Sequence, residues 1–540
     1  MAGLAAAFGS GAMTNSIGEI EFSDAIFAIG TNTTENHPVI GAKIKRAVRQ
    51  RGVKLIVADP REIDLVKYAT IWLRQNPGSD VALLNGMMNV IISEGLYAEE
   101  YLKTRTEGFE AMKKVVEKYT PEYAAKLTGV PAEDIKTAAR IYAEAKAASL
   151  LYTMGITQHT TGVDNVKSCA NLAMICGNVG IEGGGVNPLR GQNNVQGACD
   201  MGALPVVFTG YQPVGNDEAR EKFEKAWGVS LSPKPGITIV ETLNAAHEGN
   251  VKALYVMGEN PMLSDPDLNH AKEALNRLDL LIVQDIFFSE TAQLAHVVLP
   301  AACFAEKDGT FSNTERRVQR VRKAVEAPGQ AKVDWEIIAQ LSSKMGYPMN
   351  YADAEDIMKE INALTPSYAG ITYDRIEKVG IQWPCPNATH PGTKYLHQGK
   401  FSRGLGLLSA IEFKPPAEVP DAEYPFVMTT GRVLYQYHTG TMSRLSKGIT
   451  ERCPESLVEI NPKDAKTLGV ANGQFVKVTS RRGTLQAKSN VTERVPAGTI
   501  FMNFHFREAA VNLLTNPALD PIAKIPEYKV SAVKVEAAGL

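Results

Sequence analysis

The run Ala25-Ile26-Phe27-Ala28-Ile29-Gly30-Thr31-Asn32 opens the pattern that organises this chain. Five apolar residues without a polar interruption read as a strand buried on both faces, as in a parallel sheet. An amphipathic helix follows over roughly 37–51, then a second apolar strand, 54–58, ending at Asp59-Pro60-Arg61. The same grammar returns much later. Ala253-Leu254-Tyr255-Val256-Met257 runs into Gly258-Glu259-Asn260-Pro261, a helix is expected around 268–277, and the strand 280–283 ends at Gln284-Asp285. Ligands bind where parallel strands end, glycine lets a backbone approach a phosphate, and a helix N-terminus offers free N–H groups. The acid closing each second strand is placed for a sugar or base edge. Either copy alone is equally an ordinary α/β unit that binds nothing. Two copies with one grammar favour two similar nucleotide-bearing ligands.

Working outward, Asn76-Pro77-Gly78-Ser79-Asp80 precedes a helix over 81–92. Ser79 or Asp80 caps it, and Gly78 leaves its amides open to an anion; simple capping explains the stretch nearly as well. Residues 124–147 read as a polar-faced surface helix region with Pro131 at a helix start. After a Pro-rich linker, 414–420, come the strands 426–429, 474–479, 484–489 and 499–504, with a turn at Arg482-Gly483, which read as a separate β-barrel. The expected fold is α/β, with Rossmann-like αβα domains plus a C-terminal β-barrel. Its parts are a cofactor-binding domain at 1–192, a partial second Rossmann-like domain at 193–310, an α-rich connecting region at 311–415, and the barrel at 416–540.

With 540 residues the chain exceeds one hydrophobic core. Its 44% hydrophobic and 21% charged residues are those of an ordinary globular protein. A formal charge of −2 gives no electrostatic reason to bind nucleic acid or an anionic membrane. No apolar run reaches about 18 residues, so no membrane span is expected. The first fifteen residues hold no basic residue ahead of an apolar core, and do not read as a secretory signal. Cys169, Cys176, Cys199, Cys303, Cys385 and Cys453 form no Cys-x-x-Cys pair, which fits a reducing cytoplasm and gives no local iron–sulfur or zinc site.

Chemistry concentrates between Gly177 and Gly202. Gly183-Gly184-Gly185 leads into Asn187-Pro188-Leu189-Arg190-Gly191-Gln192-Asn193-Asn194, where carboxamides and glycines surround one cation. Such a loop presents donors around a small polar ligand, and the planar fork of Arg190 matches a carboxylate bidentately. A structural loop with Arg190 in a salt bridge is the alternative. His37, His159, His296, His438 and His505 stand singly and read as structural or surface residues, with His159 and His438 the two to watch. Cys199 reads as a small buried residue.

These residues carry a resemblance. Segment 185–202 resembles the substrate-site segment of formate dehydrogenase catalytic subunits, in the molybdopterin guanine dinucleotide (DMSO reductase) superfamily. Met154-Gly155-Ile156-Thr157-Gln158, Gly258-Glu259-Asn260-Pro261 and Gln284-Asp285-Ile286-Phe287 resemble cofactor-contact segments of that family. Thr430-Gly431-Arg432 with His438-Thr439-Gly440, and later Asn516-Pro517 and Pro526-Glu527-Tyr528-Lys529, resemble its C-terminal barrel. The resemblance implies two molybdopterin guanine dinucleotides around molybdenum or tungsten. It implies that Gly30, Asn32, Asp59, Arg61, Gly78, Asp80, Met154, Gly155, Gln158, Gly258, Asn260, Gln284, Asp285, Thr430, Arg432, His438, Asn516 and Lys529 lie along these cofactors. Arg190 then holds formate, supported by the substrate loop Gly191, Gln192 and Asn193. No metal ligand is assigned.

The implied reaction is reversible oxidation of formate to carbon dioxide, with electrons leaving to an iron–sulfur partner subunit. Members of the family carry an iron–sulfur domain and a selenocysteine or cysteine metal ligand ahead of a segment resembling Ala2-Gly3-Leu4. This sequence opens at that point. The resemblance thus places the cluster, the metal ligand and part of one nucleotide domain outside it, and implies a chain inactive alone. A selenocysteine codon read as a stop would give this start. A non-catalytic scaffold of the same fold and another molybdopterin oxidoreductase are the rival readings.

Overall fold

Strand β1 (Ala25–Ile29) lies mid-sheet, because all five of its residues can be buried. Helix α1 (Pro38–Arg51) leads to β2 (Lys54–Ala58), and β3 (Ile71–Leu73) lies outside that strand. Helices α2 (Asp80–Ser93) and α3 (Ala132–Ala143) precede β4 (Ala148–Tyr152) on the other flank of β1, where α4 (Gly162–Ile175) and β5 (Val186–Pro188) follow. The sheet order is β3-β2-β1-β4-β5, all parallel. Side-chain alternation along β1 decides the layers. Phe27 and Ile29 pack with Leu83, Met87, Ala139 and Met174 on one face. Ile26 and Ala28 pack with Ile40, Ile44 and Ala47 of α1 on the other. Strand order reverses between β1 and β4, and ligands of such sheets bind at that switch point.

The computed structural model describes residues 1–538. The chain divides into two units, Met1–Gly191 with Leu263–Asn269 and Tyr395–Leu540, and Gln192–Met262 with His270–Lys394. Stretch 124–147 corrects the surface reading. It forms the helix Pro121–Thr128 and then α3, with Pro131 as N-cap, and Ile135, Ala138, Ala139 and Tyr142 are buried. Alanines supply half of that stripe, so its apolar face is faint in sequence.

In the second unit, helix α5 (Val195–Asp200) precedes β6 (Ala253–Met257), β7 (Leu280–Asp285) and β8 (Val297–Pro300), a parallel sheet in the order β8-β7-β6. Val256, Leu281 and Val283 pack against Leu243, Ala271, Ala274 and Leu275. The connecting region expected to be α-rich also holds an antiparallel sheet of β9 (Gly309–Ser312), β10 (Arg317–Val321) and β11 (Ile381–Gln382). Charged Arg317 and Arg320 on β10 masked that strand, as they lie on a half-exposed sheet.

Strands β12 (Phe426–Gly431), β13 (Leu457–Ile460), β14 (Phe475–Thr479), β15 (Thr484–Val491), β16 (Thr499–Asn503) and β17 (Ser531–Ala537) close into a barrel in the order β12-β16-β13-β15-β14-β17. Alternate residues fill it: Val476 and Val478, Leu485 and Ala487, Ile500 and Met502, Val533 and Val535. The Pro-rich linker is pinned, with the Ala417 N–H on Glu527 at 3.0 Å and Glu418 paired to Arg482 at 2.8 Å. The barrel is tied to the loop after β2 by a buried ion pair. Arg61 Nε and Nη2 donate to the Glu459 carboxylate at 2.7 and 2.6 Å, with Phe501 beneath the guanidinium. Among the described residues, no helix is long and apolar enough to cross a membrane.

Candidate cofactor and substrate site

The carboxyl edge of the five-stranded sheet gathers most of the residues singled out in the first unit. Gly30 leaves β1 with φ 55°, and its carbonyl accepts from the Gly155 N–H at 3.2 Å and the Thr153 hydroxyl at 2.9 Å. The loops after β1 and β4 therefore touch backbone to backbone at the switch point. Asn32 Oδ1 accepts from the Glu35 N–H at 3.4 Å and caps the short helix Thr33–Asn36. The hydroxyls of Thr31 and Thr33, Asn36 Oδ1, Gln75 Oε1, His37 Nδ1 and His159 Nδ1 are buried with no partner in the chain. A buried unpaired polar atom costs about 1–3 kcal/mol. Such atoms, four of them on the seven residues that follow Gly30, mark where a polar ligand would be bound.

Two carboxyls stand here. Asp59 follows β2, and burial pushes it up to about 6, although the Arg61 N–H donates to it at 2.9 Å. Asp80 opens α2 after the Gly78 turn at φ 82°; burial pushes it up to about 7 against a hydrogen bond from Gln75 Nε2 at 3.2 Å. His159 lies 4.0 Å from Asp80, but this is no ion pair. Its Nε2 is 2.8 Å from the Gly155 carbonyl and so carries the proton, and burial holds the ring down to about 4, neutral. Met154 and Gly155 begin the short helix Met154–Thr157, and the Gln158 carbonyl accepts from the Lys529 N–H.

Cations come from the barrel side. Lys529 Nζ donates to the Thr430 carbonyl at 2.7 Å; burial and the charge of Arg432 bring it down to about 8, with Asp59 opposing. Arg432 Nη1 donates to the Gly191 carbonyl at 2.8 Å. Its loop is held by His505, whose Nε2 accepts from the Val433 N–H at 2.9 Å and whose Nδ1–H therefore donates to the His438 carbonyl. Burial and Arg432 push His438 down to about 3, so it is neutral beside the edge of Phe504. Arg190 stands two residues beyond β5, with Nη2 3.4 Å from the Gly11 carbonyl. Asn516 uses its amide within the barrel, donating to the Val530 carbonyl at 2.7 Å.

In the second unit, Gly258 leaves β6 at φ 64° and its N–H bonds the Gln284 carbonyl. Asn260 caps the Thr291 N–H and hydroxyl at 3.2 and 2.8 Å. The buried Gln284 amide is held by Asp334 and Tyr255, and burial raises Asp285. Gln192 is half-buried and Asn193 exposed. Sequence reasoning missed Asp200, which accepts from Gln196, Tyr211 and Trp383 at 2.7 Å and Tyr368 at 2.5 Å. It also passed over His37 as a structural residue. The one local signal for His37 is its place between a helix cap and Pro38. Among the described residues, no three His, Cys, Asp or Glu are grouped to hold a metal.

Asp80 makes a pH prediction. Its pKa is raised above the unfolded value of about 4, so its contribution to stability is complete below that pH and lost as pH rises through about 7. Asp80→Asn removes the loss. Thermal unfolding of the ligand-free chain is expected to match wild type near pH 4 and to favour the variant by on the order of a few kcal/mol at pH 8. A difference that does not grow with pH would contradict the buried, protonated carboxyl.

Residues 3–344 match the family model described as Molybdopterin oxidoreductase, and 426–532 the Molydopterin dinucleotide binding domain. The chain is 55% identical over 538 residues, 99% of its length and 79% of the relative's, to the F420-dependent formate dehydrogenase subunit alpha of Methanocaldococcus jannaschii. It is 42% identical over 543 residues to formate dehydrogenase H of Escherichia coli, covering 99% of this chain and 76% of that one. Among solved structures, acetylene hydratase from Pelobacter acetylenicus superposes with a TM-score of 0.79 at 21% identity, covering 99% and 80% of the two chains; this shows a shared fold.

Proposed function

Because the chain belongs to the molybdopterin oxidoreductase family, we propose that it acts in the catalytic subunit of a formate dehydrogenase, interconverting formate and carbon dioxide. The observation that carries this is the pairing of Arg190, a fork-shaped cation just past the carboxyl edge of the sheet, with 55% identity along 99% of the chain to a formate dehydrogenase alpha subunit. Arg190 binds and orients the carboxylate, which leaves the C–H bond free to react.

The residues at the carboxyl edge of the five-stranded sheet fit a large polar cofactor. The unpartnered side-chain oxygens of Thr31, Thr33, Asn36 and Gln75 offer hydrogen bonds, Asp59 and Asp80 are acceptors for base or pterin N–H groups, and Arg432 and Lys529 suit phosphate. Two molybdopterin guanine dinucleotides with molybdenum or tungsten would supply the acceptor for two electrons. Gly258, Asn260 and Asp285 are proposed for the second dinucleotide, with Gln192 and Asn193 beside the substrate. Electrons leave through iron–sulfur centres to a partner subunit, in keeping with relatives named as alpha subunits. The six free cysteines support a reducing, cytoplasmic location.

The test is formate-dependent dye reduction by the protein purified from its native source, with molybdenum, tungsten and pterin measured on the same preparation. F420 is the physiological acceptor to try first, as three relatives carry that dependence in their names. Turnover with formate is expected. Bound metal and pterin without it would overturn the formate reading and leave another oxidoreductase of the family.

A further inference from the structure

Two consecutive carbonyls of the substrate loop are gripped by side chains from distant segments. The Arg190 oxygen lies 2.6 Å from His37 Nε2, and the Gly191 oxygen lies 2.8 Å from Arg432 Nη1. A carbonyl can only accept, so His37 Nε2 carries the ring proton. Nδ1 is buried without a partner, and a second proton there would bury a bare cationic N–H beside the charge of Arg432. The imidazole is therefore a single neutral tautomer that offers one donor in one direction.

His37 is itself firmly seated. It closes the short helix Thr33–Asn36, with its N–H on the Thr33 carbonyl at 2.9 Å, and it is the N-cap residue before Pro38, the first residue of α1. The helix that it closes is capped by Asn32, just beyond the Gly30 turn. Strand β5 ends at Pro188, and the Leu189 N–H still donates to the Tyr152 carbonyl at 2.9 Å, so Arg190 stands one residue past that bond. A long side chain sweeps a wide volume when the peptide that carries it turns. A donor on its own carbonyl fixes the peptide plane from which that side chain projects.

We propose that His37, as the neutral Nε2–H tautomer, is a positioning residue that sets the main chain of Arg190 and thereby aims its guanidinium. What Arg190 then binds rests on the formate reading; the grip on its backbone does not.

The test compares His37→Ala, His37→Asn and His37→Gln. The Gln amide nitrogen reaches as far as imidazole Nε2, whereas that of Asn falls short. Hydrogen–deuterium exchange is read on the peptide spanning 188–196, with KM and turnover per bound metal for formate on the loaded protein. Ala and Asn should speed exchange in that peptide several-fold and raise KM about five- to tenfold, the size of one lost hydrogen bond, with turnover per metal within about twofold of wild type. Gln should restore both. Unchanged exchange in Ala and Asn, or Gln behaving like Ala, overturns the proposal. So does failure of all three variants to fold, or lost pterin with unchanged KM, since each makes His37 a structural residue. A wild-type protein with no formate turnover would sink the formate reading alone, and the exchange comparison would still decide on His37.

Discussion

Arg190→Lys is expected to lower formate turnover per bound metal by about a hundredfold while pterin and metal content stay near wild type. Lysine keeps the charge but replaces a planar two-pronged donor with a point charge, so the carboxylate is held by one contact and swings. Misplacement of a reacting group by about 1 Å costs on the order of a hundredfold. Arg190 Nη2 donates to the Gly11 carbonyl at 3.4 Å, a contact that a lysine could also make. Its main chain is held by His37 whatever the side chain. The fold should therefore tolerate the change. Near-normal turnover per metal would remove Arg190 from the substrate site, and a fall in cofactor matching the fall in rate would make it a structural residue.

Gly155→Ala is expected to abolish stable cofactor binding and to lower the unfolding temperature of the chain. A Cβ at 155 would stand 2.5 Å from the Gly30 carbonyl oxygen and 2.6 Å from its Cα, both main-chain atoms at the end of the central strand. No rotamer relieves that overlap, so β1 or β4 must shift at the switch point. Overpacking of this kind costs about 1–3 kcal/mol even where side chains can adapt, and here they cannot. Gly448→Ala is the control: nothing lies within 4 Å of its added Cβ. Pterin released on denaturation and the thermal midpoint are the readouts. Wild-type values for both in Gly155→Ala would show that the two loops do not meet as described.

The strands around Gly30 and Gly258, the helix at α2 and the barrel were all legible in the sequence: burial on both faces writes the apolar run before Gly30 and alternate burial marks the barrel, whereas the equally apolar strand before Gly258 leaves Ala253 and Met257 exposed. Stretch 124–147 was misread because alanine is small enough to sit on either side of an amphipathic helix. In the site, the chain order of Gly30, Asp59, Asp80 and Arg190 was plain, but their partners were not. Arg61 looked like one more group beside Asp59, and the fold commits its guanidinium to Glu459 on the barrel. Gln284 looked available at a strand end, and its amide is held by Asp334 and Tyr255.

By itself, then, the sequence determined the α/β elements, the strand-end acids and the loop of Arg190, because side-chain periodicity and turn chemistry are local. The tertiary structure alone decided the rest. Strand order β3-β2-β1-β4-β5 set Gly30 against Gly155, and burial raised Asp59 and Asp80 while lowering Lys529. It also brought His37 to the carbonyl of Arg190. Desolvation and long-range hydrogen bonds depend on which distant segments enclose a group, and no local pattern of residues carries that information.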